Sequence, residues 1–289
     1  KEWCIAWKDI FEHEQNNPVR LLAARMLIWA QTNSVVYGGE FPHTGLRLQT
    51  MQQVSVYRFN ETIQDEGESK ELMIVVKKMD CLEAAQELQT AGFDKVGVLF
   101  MTLDSRPGGS VQRGYESQES DLYRRTDISR CTEKHLRGTA YPCSESDPAV
   151  MVQRGITIAR GPKEAGYPFL SDVPEAITLI FVAVKKKVEI CQNMTKAVYV
   201  DIKEKEELQR HIRTMLFAII RPGLGAVLLS AIRCGEGGHP PEEVATMFKR
   251  EMIRVGEKLP MILLAILSPA KSDGLDNCQI FEKILVKPK

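Results

Sequence analysis

The sequence carries no excess charge of either sign: Lys+Arg and Asp+Glu each number 38. A general nucleic-acid binder needs a basic face, so that class is not expected. Apolar runs of membrane-spanning length are also missing, and "LPMILLAIL" is only strand-sized. The N-terminus lacks the basic-then-apolar layout of a signal peptide. There is no internal repeat and no long low-complexity segment. The seven cysteines are scattered and odd in number, which gives no disulfide framework. Reduced thiols and an intracellular location are expected instead. Cys131, His135 and Cys143 have the composition of metal ligands, but their spacing is irregular and no fourth ligand is near. They read as structural residues, and neither a metal nor a cofactor is expected. Asn60-Glu61-Thr62 and Asn193-Met194-Thr195 match the glycosylation acceptor, a pattern common by chance. Lys185-Lys186-Lys187 follows an apolar run and reads as a strand leaving the core.

What is present is alternation. "PVRLLAARMLIWAQ" (18–31) opens with Pro and continues with helix formers, predicting a helix with a wide apolar face. "QVSVYRF" and "LMIVVKK" read as strands, and "CLEAAQELQTAG" as a helix closed by Gly92. "KVGVLFMTL" (95–103) is almost wholly apolar, as a central strand is. A glycine loop follows, then a helix expected from about Glu116 to His135. In the second half "GITIAR", "AITLIFVAV", "GAVLLSAI" and "MILLAIL" read as strands. "EKEELQRHIRTMLFAII" is a long amphipathic helix ended by Arg221-Pro222-Gly223. "PPEEVATMFKREM" has Pro and acids where a helix N-terminus favours them, and "CQIFEKIL" is a final short helix. Strands alternating with helices predict an α/β fold, a three-layer α/β/α sandwich with a mixed sheet and the early strands at an edge.

Ligands in such folds sit at the carboxyl ends of the central strands. Two glycine-bearing loops leave such ends. "DSRPGGS" contains Gly108, Gly109 and Ser110, and "RCGEGGHPP" contains Cys234, Gly235, Gly237, Gly238 and His239. Glycine lets backbone approach a ligand, and N–H groups at a helix start hold phosphate. Taken singly, each loop reads as an ordinary connection; two at neighbouring strand ends favour a phosphate-bearing ligand. Neither is a Walker A loop and neither has Rossmann spacing.

These residues resemble the microbial-type poly(ADP-ribose) glycohydrolase (PARG) domain, a family with a macrodomain-like fold. The family pattern has Val-Leu-Asn, then Pro-Gly-Gly-Gly, six to eight residues, Gln-Glu-Glu, and Leu-x-Arg-Arg-Ser. Here stand Val98-Leu99, Pro107-Gly108-Gly109-Ser110, seven residues, Gln118-Glu119-Ser120, then Leu122, Arg124, Arg125 and Thr126. The second family hallmark matches Cys234-Gly235, His239-Pro240-Pro241, Val244-Ala245 and Phe248. The resemblance spans roughly residues 15 to 285. It implies a macrodomain-like domain over 51–289 with an N-terminal helical extension over 1–50. It also implies ADP-ribose as ligand, with its diphosphate on the two glycine loops. Gln118 and the first Glu, Glu119, would lie at the site, Glu119 on the ribose hydroxyls. The second Glu of the family would protonate the leaving oxygen and activate water.

The departures fall in the site. The family Asn is Phe100, the third Gly is Ser110, the second Glu is Ser120, a typical aromatic is Gly237, and the Asn before Pro-Pro is His239. Glycosidic cleavage needs a carboxyl to protonate the leaving oxygen, and a serine hydroxyl cannot do this near neutral pH. Glu119 and Asp121 project about 100° to either side of Ser120 on a helix. Glu116 shares its face but lies about 5.4–6 Å along the axis. The expectation is a catalytically degenerate PARG-like macrodomain, acting as an ADP-ribose-binding, protein-interaction or structural module. Its partners would be ADP-ribose, poly(ADP-ribose) or a protein, with no direct nucleic acid and no membrane. The alternative is an active poly(ADP-ribose) glycohydrolase that uses Glu119 or a displaced carboxylate.

Overall fold

Apolar runs short enough for strands, separated by amphipathic helices, build a mixed seven-stranded sheet in the computed structural model. The structure describes residues 2–14, 16–38, 48, 54–58, 72–102, 108–131, 149–172, 174–183, 187–193, 196–235, 237–267 and 276–286. The chain divides into two compact units. One comprises Lys1–Val54, Ser105–Pro142 and Gln153–Thr178; the other comprises Ser55–Asp104, Cys143–Val152 and Leu179–Lys289.

The strands are β1 (Ser55–Arg58), β2 (Ile74–Lys77), β3 (Val96–Thr102), β4 (Ala149–Ile156), β5 (Ile177–Ala183), β6 (Ile190–Asn193), β7 (Lys196–Tyr199), β8 (Ala226–Leu229) and β9 (Met261–Ala265). The large sheet has the order β1-β4-β5-β3-β8-β9-β2, so the two earliest strands form its two edges. β3, β8, β9 and β2 are parallel, with Val96 opposite Ala226, Ala226 opposite Met261 and Ile74 opposite Ile262. β1 runs antiparallel to β4. The three strands expected at the centre, β3, β8 and β9, are interior and largely buried. Burial on both faces explains why their sequences are continuous apolar runs and not alternating ones.

In the second unit the helices are α3 (Cys81–Thr90), α6 (Ile202–Ile220), α7 (Pro241–Val255) and α8 (Asn277–Leu285). Leu99, Ile180, Val182, Val227, Leu229, Ile262 and Leu264 face one side, where Ile212, Phe248 and Phe281 of α6, α7 and α8 cover them. Val98, Phe100, Leu228 and Leu263 alternate with these residues and face the other way. The crossover from β2 through α3 to β3 runs opposite in direction to that from β8 through α7 to β9. Right-handed crossovers of opposite direction place α3 and α7 on opposite faces, which gives the three layers. Glu251 of α7 is buried and accepts from Arg213 at both carboxylate oxygens, 2.8 and 2.9 Å, locking α7 to α6.

In the first unit the helices are α1 (Glu2–His13), α2 (Pro18–Gly38), α4 (Gln118–Arg125) and α5 (Ser129–Cys131). α2 extends past the expected end at 31, because Thr32 and Val36 continue the buried face of Ala24 and Ile28. Trp7 and Phe11 of α1 pack with Ala24, Ile28 and Tyr167 in a small apolar core.

Three sequence expectations need correction. The helix expected over 116–135 is only Gln118–Arg125, since Thr126 turns extended and bridges Ile158. Residues 132–135 lie outside the described residues. "GITIAR" is not one strand: β4 starts earlier, ends at Ile156, and leaves Ile158 and Arg160 in isolated bridges. The β6–β7 hairpin was not anticipated at all; its register pairs Ile190 with Tyr199. His135, Cys143, the Asn60 acceptor and Lys185-Lys186 lie outside the described residues, as do Met194 and Thr195.

Asp127 fixes the break after α4. Its carboxylate accepts from the Thr157 N–H at 2.8 Å and pairs with Arg130 at 3.2 Å. Burial pushes its pKa from 3.8 up to about 6, against the pull of Thr157 and Arg130. The folded state therefore binds this proton more tightly than the unfolded chain. The Asp127 contribution is full below about pH 4 and is lost as pH rises through about 6. A shift of this size corresponds to roughly 3 kcal/mol. Urea unfolding of the native chain and an Asp127→Asn variant should give stabilities whose difference changes between pH 4 and 6.5 and is flat above. A difference that is flat throughout means that Asp127 titrates normally.

Candidate functional site

Gly108 and Gly109 both take positive φ, 79° and 51°, and form a turn that leads into a single 3-10 turn, Val111–Arg113. Gly114, at φ 74°, closes it. A Cβ at Gly114 would lie 2.3 Å from the Leu22 carbonyl oxygen, so only glycine lets α2 press against the loop. The N–H groups of Val111, Arg113 and Gly114 donate within this turn, to Gly108, Ser110 and Val111. Ser117 then caps α4, its Oγ accepting from the Ser120 N–H at 3.1 Å.

The Glu119 carboxylate is buried and accepts from the Gly108 N–H at 2.9 Å. It ties the glycine turn to the first turn of α4, where a negative charge is favoured by the helix dipole. Gln118 is half-buried beside it. Ser120 is buried, and its Oγ is 3.1 Å from the Ser117 Oγ. The other two neighbouring carboxylates are committed elsewhere. Glu116 pairs with Arg25 and, at 2.7 Å, with Lys163. Partial burial opposes its ionisation, but these two cations hold its carboxyl below the ordinary range. Asp121 accepts from Arg125 at 3.0 Å and from the Tyr167 hydroxyl at 2.7 Å. Burial, and then Asp121, raise the Tyr167 pKa, so the phenol stays a donor.

The motif arginines are interior. Arg124 is fully buried, donating to the carbonyls of Tyr115 at 2.6 Å and Arg25 at 3.3 Å. Arg25, Leu22, Lys163 and Tyr167 were not expected to support the loop. Arg25 and Leu22 lie on the predicted helix, but the long-range partners of a helix face cannot be read from its period.

In the second unit, the loop after β8 is folded on itself. The Cys234 N–H donates to Ala231, Gly238 to Gly235, and His239 to Arg233. Arg233 takes φ 54°, unusual for a residue with a side chain, and its guanidinium reaches the Thr102 carbonyl at the end of β3, 3.1 Å away. A Cβ at Gly237 would sit 2.6 Å from the Arg233 Cβ and 2.7 Å from its oxygen, which explains the glycine there. The Gly237 carbonyl accepts from the Val188 N–H. His239 is buried, with its Nδ1 2.8 Å from the Tyr199 hydroxyl and its ring edge-on to the tyrosine. Burial, and then Cys234, raise the Tyr199 pKa, which keeps the phenol protonated. Cys234 is half-buried, with its Sγ 3.5 Å from the Ile232 carbonyl oxygen. The hairpin thus carries Tyr199 to the loop, a role with no local sequence signal beyond the alternation of "KAVYV".

The position of the family Asn, Phe100, points into the core. It is fully buried and stacks edge-on against Phe181 at 4.7 Å. The two loops fall in different compact units, and Gly108, Gly109, Ser110, Gln118 and Glu119 are gathered in one of them. Cys234, Gly235, Gly237, Gly238 and His239 are gathered in the other.

A family model described as the microbial-type PARG catalytic domain matches residues 29–153. No curated protein sequence matches the chain. Poly(ADP-ribose) glycohydrolase from Thermomonospora curvata superposes with a TM-score of 0.66 at 18% identity, covering 90% of this chain and 99% of that one. The same enzyme bound to the inhibitor ADP-HPD gives a TM-score of 0.65, also at 18% identity and with the same coverage. The Deinococcus radiodurans enzyme in complex with ADP-ribose gives 0.60 at 16% identity, covering 75% of this chain and 85% of that one. The family model thus covers the first of the two motifs read from the sequence, and the solved structures bear out the expected fold.

The Glu119 bond to Gly108 generates a stability prediction. Glu119→Ala leaves a buried N–H without its acceptor and should cost about 1–3 kcal/mol in urea unfolding. Glu119→Gln keeps an acceptor oxygen and should recover a substantial part of that loss. Equal losses in the two variants would show that charge, and not the acceptor, matters there.

Proposed function

We propose that this chain, a relative of the microbial-type poly(ADP-ribose) glycohydrolases with their macrodomain-like fold, is a catalytically degenerate module that binds ADP-ribose without hydrolysing its polymer. The observation that carries the reading is Ser120. It stands where the resemblance calls for the acid, and the adjacent carboxylates all have other work. Glu119 holds the glycine turn, Glu116 is ion-paired to Arg25 and Lys163, and Asp121 is held by Arg125 and Tyr167. General acid–base help is typically worth 10²–10⁴-fold, so its loss leaves at most a slow reaction.

Binding rests on the glycine turn of the first unit. Gly108, Gly109 and Ser110 form the turn that would receive the diphosphate, with Glu119 directed to ribose hydroxyls. Two ADP-ribose-directed relatives share the fold: one is bound to ADP-HPD and the other to ADP-ribose. A protein-interaction role is the second reading, favoured by Phe100, which fills the core in place of a polar side chain at the ligand.

Calorimetric titration with ADP-ribose should give a saturable heat that a Gly109→Val variant weakens at least tenfold. No heat with ADP-ribose would leave the protein-interaction reading in its place. Release of ADP-ribose from labelled polymer should be near background for the native chain. Ser120→Glu alone should restore little, because Phe100 and Ser110 remain and a misplacement of about 1 Å can cost on the order of 10²-fold. Robust turnover by the native chain that vanishes in Glu119→Ala would refute the degenerate reading and make Glu119 the working acid.

A further inference from the structure

Resting on the reading of the glycine turn as the diphosphate site, we propose that Tyr115 and Arg113 form a second subsite, which holds the neighbouring unit of an ADP-ribose polymer. The adenine of that unit stacks on the Tyr115 ring, and its diphosphate pairs with the Arg113 guanidinium. Both side chains belong to the segment that joins the turn to α4. Tyr115 is 57% exposed. Arg113 is exposed too and is in no ion pair among the described residues.

Loop residues are usually mobile, but the main chain around Tyr115 is fixed at three consecutive positions. The Tyr115 carbonyl accepts from the buried Arg124 guanidinium at 2.6 Å. Gly114, before it, lies so close to α2 that a Cβ would be 2.3 Å from the Leu22 carbonyl oxygen. Glu116, after it, is paired with Arg25 and, at 2.7 Å, with Lys163. The exposed ring therefore stands on a rigid base, and a tyrosine so held offers contact area at little entropic cost.

This platform is continuous with the glycine turn. The Arg113 N–H donates to the Ser110 carbonyl at 2.9 Å. The Val111 N–H donates to Gly108 and the Gly114 N–H to Val111, both at 3.0 Å. Each such turn brings its end residues within about 7 Å, so Gly114 stays within about 14 Å of Gly108. A ligand seated on Gly108 and Gly109 therefore reaches Tyr115 and Arg113 with its next unit, not with the one already held.

The chemistry of the pair identifies the occupant. An aromatic face takes a base, and a free guanidinium beside it takes a phosphate. A nucleic-acid strand offers both, but it needs a basic groove that follows many phosphates, and a single arginine is too little. A polymer whose end is already held on the turn needs less. Its second contact is made at an effective concentration on the order of millimolar, so one base and one diphosphate suffice to tighten it. Every unit of an ADP-ribose polymer carries one adenine and one diphosphate.

Calorimetry of the whole chain should show a two-unit ADP-ribose oligomer binding about tenfold or more tighter than ADP-ribose. In Tyr115→Ala this ratio should fall to about two or less, whereas Tyr115→Phe, which keeps the ring, should retain it. Arg113→Gln should lower the ratio and flatten its dependence on salt. Both positions are exposed, and unchanged thermal midpoints would verify that the variants fold. Equal affinities for the two ligands, or a ratio that survives Tyr115→Ala, overturn the subsite and leave ADP-ribose on the glycine turn. Tyr115-dependent binding of the two-unit oligomer without binding of ADP-ribose keeps the subsite and overturns the reading of the turn. Binding of neither ligand overturns both. An adenylate oligonucleotide bound as tightly as the two-unit oligomer gives the platform to nucleic acid and overturns the polymer as its occupant.

Discussion

The first unit is organised by three guanidinium groups that have no access to water. Arg124, Arg125 and Arg160 are all buried, and arginine does not discharge to relieve burial. Each must therefore be surrounded by acceptors, and acceptors come from wherever the chain can bring them. Arg124 takes the carbonyls of Tyr115 and Arg25. Arg160 takes the Tyr167 carbonyl at 2.6 Å, the Gln31 side chain at 3.1 Å and the Thr32 hydroxyl at 2.8 Å, and lies over the Phe169 ring. Thr32 donates in turn to the Arg124 carbonyl at 2.6 Å. One hydroxyl thus joins α2, the end of α4 and the segment around Arg160. The last carbonyls of α4 are taken by donors outside the helix, that of Arg124 by Thr32 and that of Arg125 by the Ala159 and Arg160 N–H groups, and Thr126 bridges Ile158.

The same requirement shapes the candidate site. The carboxylates that stand near Ser120 in sequence are drawn into structural pairings by the cations and donors around them. Asp121 is the counter-charge of Arg125, and Glu116 is that of Arg25 and Lys163. Glu119 is engaged by a backbone N–H. For Glu116 the two cations hold the carboxyl below its ordinary range, which opposes the duty of a proton donor. The replacement at Ser120 is consistent with its surroundings, because the Ser117 hydroxyl meets the new one within hydrogen-bonding distance.

The second unit shows a loop supported from a distance. The glycines after β8 are visible as candidates, but the N–H groups of Cys234, Gly238 and His239 donate within the loop. The closure depends on Arg233 in a left-handed conformation and on Tyr199 from the hairpin. Gly237 is required by the nearness of Arg233, which is a packing reason and independent of any ligand.

By itself the sequence determined the α/β class, the three central strands, most of the helices and the family resemblance. These follow from period and from local chemistry: continuous apolar runs, Pro at helix starts, glycine at forced turns. It also placed serine after Glu119, a fact of composition that needs no fold. Only the tertiary structure decided where α4 stops, because that depends on the Thr157 N–H that Asp127 accepts and on the Thr32 hydroxyl, some 90 residues away, that donates to the Arg124 carbonyl. Only the tertiary structure supplied the β6–β7 hairpin and the engagement of Glu116, Asp121 and Glu119. Hydrogen bonds and ion pairs join residues by position in space, and a spacing along the chain carries no record of partners so far away.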